Sequence, residues 1–331
     1  MTDTNRAVYR TFNIKELDFQ YSPSQWSIRG SPDEVINKHV AWLVNGSDRA
    51  RKVLAESAQL NVRYSTLEAK VAGGGGGGGA AAIPADSSET ALDLFFPPEA
   101  KTPEQRAKCP LVIYIHGGYW QFLNKDASSF MAENFCKHGL AVAAIGYTLA
   151  PAANIFEIIH HTRLGVALAH QLCPGTTAHL IGHSAGGHLA AMCIATSAEE
   201  WQAKYGVPAG WIRSATLVSG VFDLRPITMV PSVNDAVRLT MADAQVASPL
   251  LLLASIPHDI HVIVAVGRHD PEEFRRQSRE FHDNLVQHRG NITDKTQFVY
   301  CPEDDHFEAI EKLSHADFCV TQAVFAVARR V

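Results

Sequence analysis

Residues 180–189 read LIGHSAGGHL, and within them Gly182-His183-Ser184-Ala185-Gly186 fits G-x-S-x-G. That spacing suits a serine nucleophile at the apex of a sharp strand-to-helix turn. Glycines are needed two before and two after it, because side chains there would collide within the turn. The pattern also recurs by accident, so its surroundings decide. Here an apolar run, AHLIGH, leads in and a helix-like run, GGHLAAMCIA, leads out. The context marks Ser184 as the expected nucleophile.

A serine hydroxyl attacks poorly unless a base takes its proton, and the base needs an orienting partner. In hydrolases built on this turn the chain order is serine, then Asp or Glu, then His. The run HVIVAVG leads into RHDPEEF and places Asp270 past one strand; TQFVYCP leads into EDDHFEAI and places His306 past the next. Asp270 is the expected acid and His306 the expected base. Asp223, in GVFDL after an earlier strand, stays open as a rival acid. Of the 16 histidines, His258, His261 and His269 precede the acid, which is the wrong side for the base. His315 lies in the last helical pattern and is expected to face solvent. Asp304 and Asp305 flank His306 too closely to reach around its ring. Since the base must be neutral, activity is expected to fall in acid.

Attack on a carbonyl creates an oxyanion that needs donors already in place. One is expected from the amide of Ala185, after the nucleophile. The other is expected from the loop HGGYW, residues 116–120, which follows the strand-like run LVIYI. Gly117 and Gly118 let the backbone turn its N–H groups inward with no Cβ in the way. His116, Tyr119, Trp120 and Phe122 are candidates to line a pocket for an aromatic group, although such rings serve equally well as core packing. Metal chemistry has little support. There is no H-E-x-x-H, and the adjacent His160 and His161 point to different helix faces. His183 and His188 beside the turn read as packing or supporting groups. No metal and no cofactor are expected.

These residues need a scaffold. From residue 110 onward, short β-branched runs alternate with helix-length stretches, and runs such as LAVAAI and VIVAV carry no polar alternation. Strands of that kind are covered on both faces, which implies an α/β architecture with a parallel sheet between helical layers. The site is then expected at the carboxyl ends of the strands. Residues up to about 60 form a helix-rich extension, with VINKHVAWLV and SDRARKVLAES as its helical stretches. Seven glycines, Gly73–Gly79, precede Ala-Ala-Ala. No G-K-[ST] follows, so residues 73–82 read as a flexible loop within one domain, and not as a phosphate cradle. The flanking runs LNVRYS and TALDLFFP are expected to pair as an edge hairpin.

The totals narrow the partners. The chain has 331 residues, 46% of them hydrophobic, and a net charge of −5. That is enough apolar material for a large core, and no basic field favours nucleic acid or anionic lipid. Six scattered cysteines, with no C-x-x-C pair, read as free and mostly buried thiols. No apolar signal-like stretch opens the sequence and none is long enough to span a bilayer, so a cytoplasmic protein is expected.

Beyond these motifs, the chain resembles the kynurenine formamidases, also called arylformamidases, of the α/β-hydrolase fold. The resemblance runs through QYSPSQW (20–26), HGGYW (116–120), YTLAP (147–151), GHSAGGHL (182–189) and GVFDL (220–224). It continues through NDAVRLT (234–240), DPEEFRRQS (270–278) and DHFEAIEKL (305–313). HGG and G-x-S-x-G are shared with many esterases; QYSPSQW, the Trp closing HGGYW and DPEEFRRQS are more particular. The resemblance implies Ser184, Asp270 and His306 as the triad, and a non-catalytic Asp223. It implies an aryl formamide substrate, N-formylkynurenine, with kynurenine and formate as products. Other amides or esters stand as the alternative, and a homodimer as the partner to look for. The glycine run departs from the family, whose corresponding loop is short.

Overall fold

The computed structural model describes residues 7–64, 90–290 and 294–329. The Gly73–Gly79 run, and with it the loop expected over 73–82, lies outside the described residues. Eight strands form one sheet: β1 (Ala58–Arg63), β2 (Ala91–Phe95), β3 (Leu111–Ile115), β4 (Ala141–Ile145), β5 (Ala178–His183), β6 (Ile212–Val218), β7 (His261–His269) and β8 (Thr296–Asp305). Their order is β1-β2-β4-β3-β5-β6-β7-β8. β1 pairs antiparallel with β2 at one edge, as the flanking runs suggested, and β2 pairs antiparallel with β4. From β4 to β8 all pairings are parallel.

The parallel strands are buried on both faces because alternate residues feed two cores. Leu111, Ile113 and Ile115 join one core with helices α3 (Ile155–Leu172), α4 (Ala185–Ile194) and α5 (Glu272–His288). Val112 and Tyr114 join the other with α2 (Pro32–Val53) and α6 (Cys319–Ala328). The period of two along each strand sends successive side chains to opposite layers. A short helix, α1 (Ile14–Gln20), precedes α2 in the N-terminal segment. No helix among the described residues is long and apolar enough to cross a membrane.

Two elements differ from their sequence signatures. The two helical stretches of the N-terminal segment are one 22-residue helix, opened by a capping box between Ser31 and Glu34. Gly46 does not break it. A Cβ there would lie 2.9 Å from Phe130 Cβ, so the glycine lets the helix approach the turn at Phe130 closely. β8 also runs past Pro302 to Asp305. Proline lacks a ladder donor but is tolerated because β8 is the edge strand.

Candidate active site

The sheet register brings the chemistry to one rim. His183 at the end of β5 pairs with Val218 at the end of β6, and His269 of β7 pairs with Asp305 of β8. Ser184, Ser219, Asp270 and His306 are the residues directly after these four. Aligned parallel strands thus deliver four polar side chains to one carboxyl edge, and none depends on a long flexible loop.

Ser184 sits between β5 and α4 with φ 54° and ψ −119°. This is strained backbone for a non-glycine residue, and the surrounding turn over-determines it. A Cβ on Gly182 would lie 2.0 Å from Gly186 O, and one on Gly186 would lie 2.1 Å from Ile115 O. Either clash would force the turn open, which is the reason G-x-S-x-G needs both glycines. The Ser184 amide is anchored on Val218 O at 2.9 Å, while its side chain stands at the amino end of α4.

His306 Nδ1 donates to Asp270 Oδ1 at 2.6 Å, with both residues buried. The other carboxylate oxygen accepts from Ser219 Oγ at 2.7 Å and from the Gly267 amide at 2.8 Å. An aspartate accepting three hydrogen bonds is fixed in one orientation. It places the ring hydrogen on Nδ1 and leaves Nε2 to accept a proton. Phe274 stands edge-on to the ring at 4.9 Å between centroids. His183, next to the serine, donates from Nε2 to the His306 carbonyl at 2.9 Å, tying the loop of His306 to the turn at Ser184. Burial, reinforced by the nearby His306 and His39, pushes His183 well below the usual histidine range, so it acts there as a neutral donor.

The rival acid is occupied elsewhere. Asp223 accepts from Arg225 Nε and Nη2, both at 2.9 Å, and from the Arg225 amide at 3.0 Å. Asp304 pairs with Lys312, and His315 is exposed just after a 3₁₀ turn, not within a helix. Among the described residues, no three His, Cys, Asp or Glu side chains converge as a metal ligand set.

The HGGYW segment packs directly on Ser184. A Cβ on Gly117 would lie 2.9 Å from His183 O and 3.1 Å from Ser184 Cβ. Gly118, Tyr119 and Trp120 follow one another at positive φ, at 98°, 50° and 60°. Ala185 is the first residue of α4, with its amide at the helix start. The aromatics divide. Trp120 is fully buried and donates from Nε1 to His188 Nδ1 at 3.2 Å, while His188 Nε2 donates to Ala247 O at 2.8 Å. Its ring therefore buttresses the loop from within the core. His116 is buried too, stacked on Tyr147 at 4.2 Å. Tyr119 is partly buried and Phe122 is 63% exposed, which leaves these two rings of the segment accessible from outside.

Motifs far apart in the chain meet here. Tyr119 Oη donates to Tyr21 O at 2.7 Å, and Gln277 Nε2 donates to Tyr21 Oη at 2.8 Å. Gln277 Oε1 accepts from the Phe222 and Asp223 amides, both at 2.8 Å. QYSPSQW, HGGYW, GVFDL and DPEEFRRQS are thus parts of one hydrogen-bonded wall. Sequence reasoning missed Ser219 and the Gly267 amide as supports of the acid. A serine directly after an apolar strand, in SATLVSG, was the signal available.

The N-terminal segment also braces the loop that carries His306. Asp305, the residue before His306, accepts from Ser27 Oγ at 2.5 Å and Arg29 Nε at 2.8 Å. Arg29 Nη1 reaches Glu311 at 2.8 Å, and His39 Nδ1 meets the same carboxylate at 2.7 Å. Burial works against charge on both carboxyls. The Ser27, Glu308-amide and Arg29 bonds on Asp305, and those from His39 and Arg29 on Glu311, outweigh it and hold both below the ordinary range. Arg29→Ala leaves two buried carboxylates short of a partner and is expected to cost about 2–4 kcal/mol. A depressed carboxylate contributes stability above its unfolded-state pKa, and that stability is lost as pH falls through the folded value. The gap between wild type and variant in urea midpoint should therefore be widest near neutrality and close in acid. A gap unchanged down to about pH 3 would contradict this ion-pair account.

The chain as a whole is similar to known proteins. The BD-FAE family profile matches residues 92–285. Proteins named kynurenine formamidase from Salmo salar and Danio rerio are 37% and 35% identical, each over 95% of this chain and 96% of their own length. A putative thioesterase from Silicibacter sp. TM1040 superposes with a TM-score of 0.71 at 26% identity, covering 95% of this chain and 99% of its own. Esterase B of Lactobacillus rhamnosis, at 18% identity and a TM-score of 0.58, covers 91% of this chain and 97% of its own and shares the fold.

Proposed function

Because the chain belongs to the kynurenine formamidase family of α/β-hydrolases, we propose that it hydrolyses N-formyl arylamines, N-formyl-L-kynurenine foremost, to the free amine and formate. The observation that carries this reading is the Asp270–His306 bond at aligned strand ends beside the Ser184 turn. It occurs in a chain that matches relatives of that name almost end to end.

The placement of the groups supports the following course. Ser184 Oγ attacks the formyl carbon while His306 Nε2 takes its proton. The carbonyl oxygen becomes an oxyanion held by the amides of Ala185 and of Gly117 and Gly118. His306 then returns its proton to the aniline nitrogen, and the C–N bond breaks to leave a formyl-serine. Water, deprotonated by the same histidine, attacks that ester and releases formate, restoring Ser184. Asp270 keeps the imidazole in the tautomer that can accept and stabilises the imidazolium. Only water is consumed, so no cofactor enters. The formyl carbon carries a hydrogen where other acyl groups carry carbon, so a closely packed HGGYW loop against Ser184 suits it. Tyr119 and Phe122 are the candidates for contact with the aryl ring.

A carboxylesterase is the second reading, favoured by the BD-FAE match across the central part of the chain. Steady-state turnover of N-formylkynurenine beside an aryl acetate separates the two. A kcat/KM that favours the formamide supports the formamidase; an ester preferred by orders of magnitude overturns it in favour of the esterase.

A further inference from the structure

The strongest feature outside the triad is a buried pair behind the HGGYW loop. Tyr147 follows β4 and His116 follows β3; the two strands are in register, with Ile115 opposite Ile145. Both side chains are buried and their rings stack at 4.2 Å with 12° between planes. Tyr147 Oη donates to the His116 carbonyl at 2.8 Å. His116 Nδ1 donates to the Gly117 carbonyl at 2.9 Å, with Tyr147 Oη 3.1 Å from the same nitrogen and 3.4 Å from that carbonyl.

A trans peptide is planar, with its C=O and the following N–H pointing in opposite directions. The His116 carbonyl shares its plane with the Gly117 N–H, and the Gly117 carbonyl shares its plane with the Gly118 N–H. Gripping these two carbonyls from one side therefore aims these two amides to the other. We infer that Tyr147 and His116 are positioning residues that set the oxyanion hole by fixing both peptide planes from behind. The inference rests on the reading of Gly117 and Gly118 as oxyanion donors.

The protonation of His116 agrees with that role. Burial pushes its pKa down to about 4, so the ring is neutral and carries one hydrogen. The Gly117 carbonyl can only accept, which puts that hydrogen on Nδ1. Nε2, which has no partner among the described residues, is left as a bare lone pair. An unmet acceptor is the cheaper group to bury. The need for a grip is plain from the sequence. Glycines are the residues least able to hold a plane by themselves, and a donor displaced by about 1 Å costs about 10²-fold in rate.

Replacing the carbonyl oxygen of a formyl anilide by sulfur provides the test, because a thiolate-like sulfur uses the hole far less than an oxyanion. Tyr147→Phe keeps the ring stack and removes only the hydroxyl. It is expected to lower kcat on the formyl anilide by about 10- to 100-fold with KM nearly unchanged. The thioformyl anilide should slow much less, so the oxo/thio rate ratio collapses. His116→Ala should behave likewise. His116→Asn, whose amide nitrogen occupies the position of Nδ1, should recover most of that loss, and His116→Gln, one bond longer, should not. A wild-type ratio that survives in Tyr147→Phe and His116→Ala overturns the inference. A wild type with no oxo preference overturns instead the assignment of Gly117 and Gly118 as donors, and the inference with it. If wild type turns over only esters, the same ratio is read with an aryl acetate and its thionoacetate. That outcome removes the formamide reading while the positioning role is still decided.

Discussion

Ser184→Ala is expected to lower kcat on N-formylkynurenine by about 10⁴-fold or more, leaving only the residual rate that binding and the oxyanion donors support. The size follows from the removal of the atom that forms the acyl bond. No neighbouring group can replace it, since the strained turn at φ 54° presents only this side chain at the apex. The measurement is single-turnover product formation with wild type and variant at matched concentration. The far-UV circular dichroism of the two should coincide, because Ala fills the buried site with one atom fewer. Hydrolysis at the wild-type rate would remove the serine mechanism and every role assigned around it.

Asp270→Asn should be nearly as damaging, by about 10⁴-fold in kcat, with geometry retained. The aspartate accepts at both oxygens, from His306 Nδ1 on one side and from Ser219 and Gly267 on the other. An asparagine must turn an NH₂ toward one of those donors. If it faces His306, the ring shifts its hydrogen to Nε2 and can no longer take the proton of Ser184. If it faces Ser219 and the Gly267 amide, a buried donor meets a donor. Asp223→Asn is the control, because that carboxylate is held by Arg225 and does not reach His306. Its kcat/KM should change by less than about tenfold. The reverse ranking would transfer the acid to Asp223.

Much of this was legible in the residues. Strands covered on both faces read as unbroken apolar runs, so the strands from LVIYI to TQFVYCP, and the site at their carboxyl ends, followed from pattern alone. G-x-S-x-G is likewise readable, because a clash between Gly182 and Gly186 constrains residue type within five positions. The exposure of each ring in and just after HGGYW was not readable. Trp120 and Phe122 are two residues apart and equally hydrophobic, yet one is fully buried and the other 63% exposed. Gly118, Tyr119 and Trp120 follow one another at positive φ, a backbone path that the residue types do not announce.

By itself, the sequence determined the order of strands and helices, the chemistry of the nucleophile's turn, and the rank order of Ser, Asp and His along the chain. These depend on short-range sterics and on hydrophobic period, which neighbouring residues impose on one another. Only the tertiary structure brings Asp270 and not Asp223 onto His306, sets Arg29 of the N-terminal segment against Asp305, and stacks Tyr147 on His116 behind Gly117. Arg29 lies 276 residues from Asp305, and Tyr147 lies 31 from His116. Such contacts are set by the register of parallel strands and by the buried polar groups that must find partners once the strands align. That demand is met in three dimensions, and a one-dimensional pattern carries no record of it.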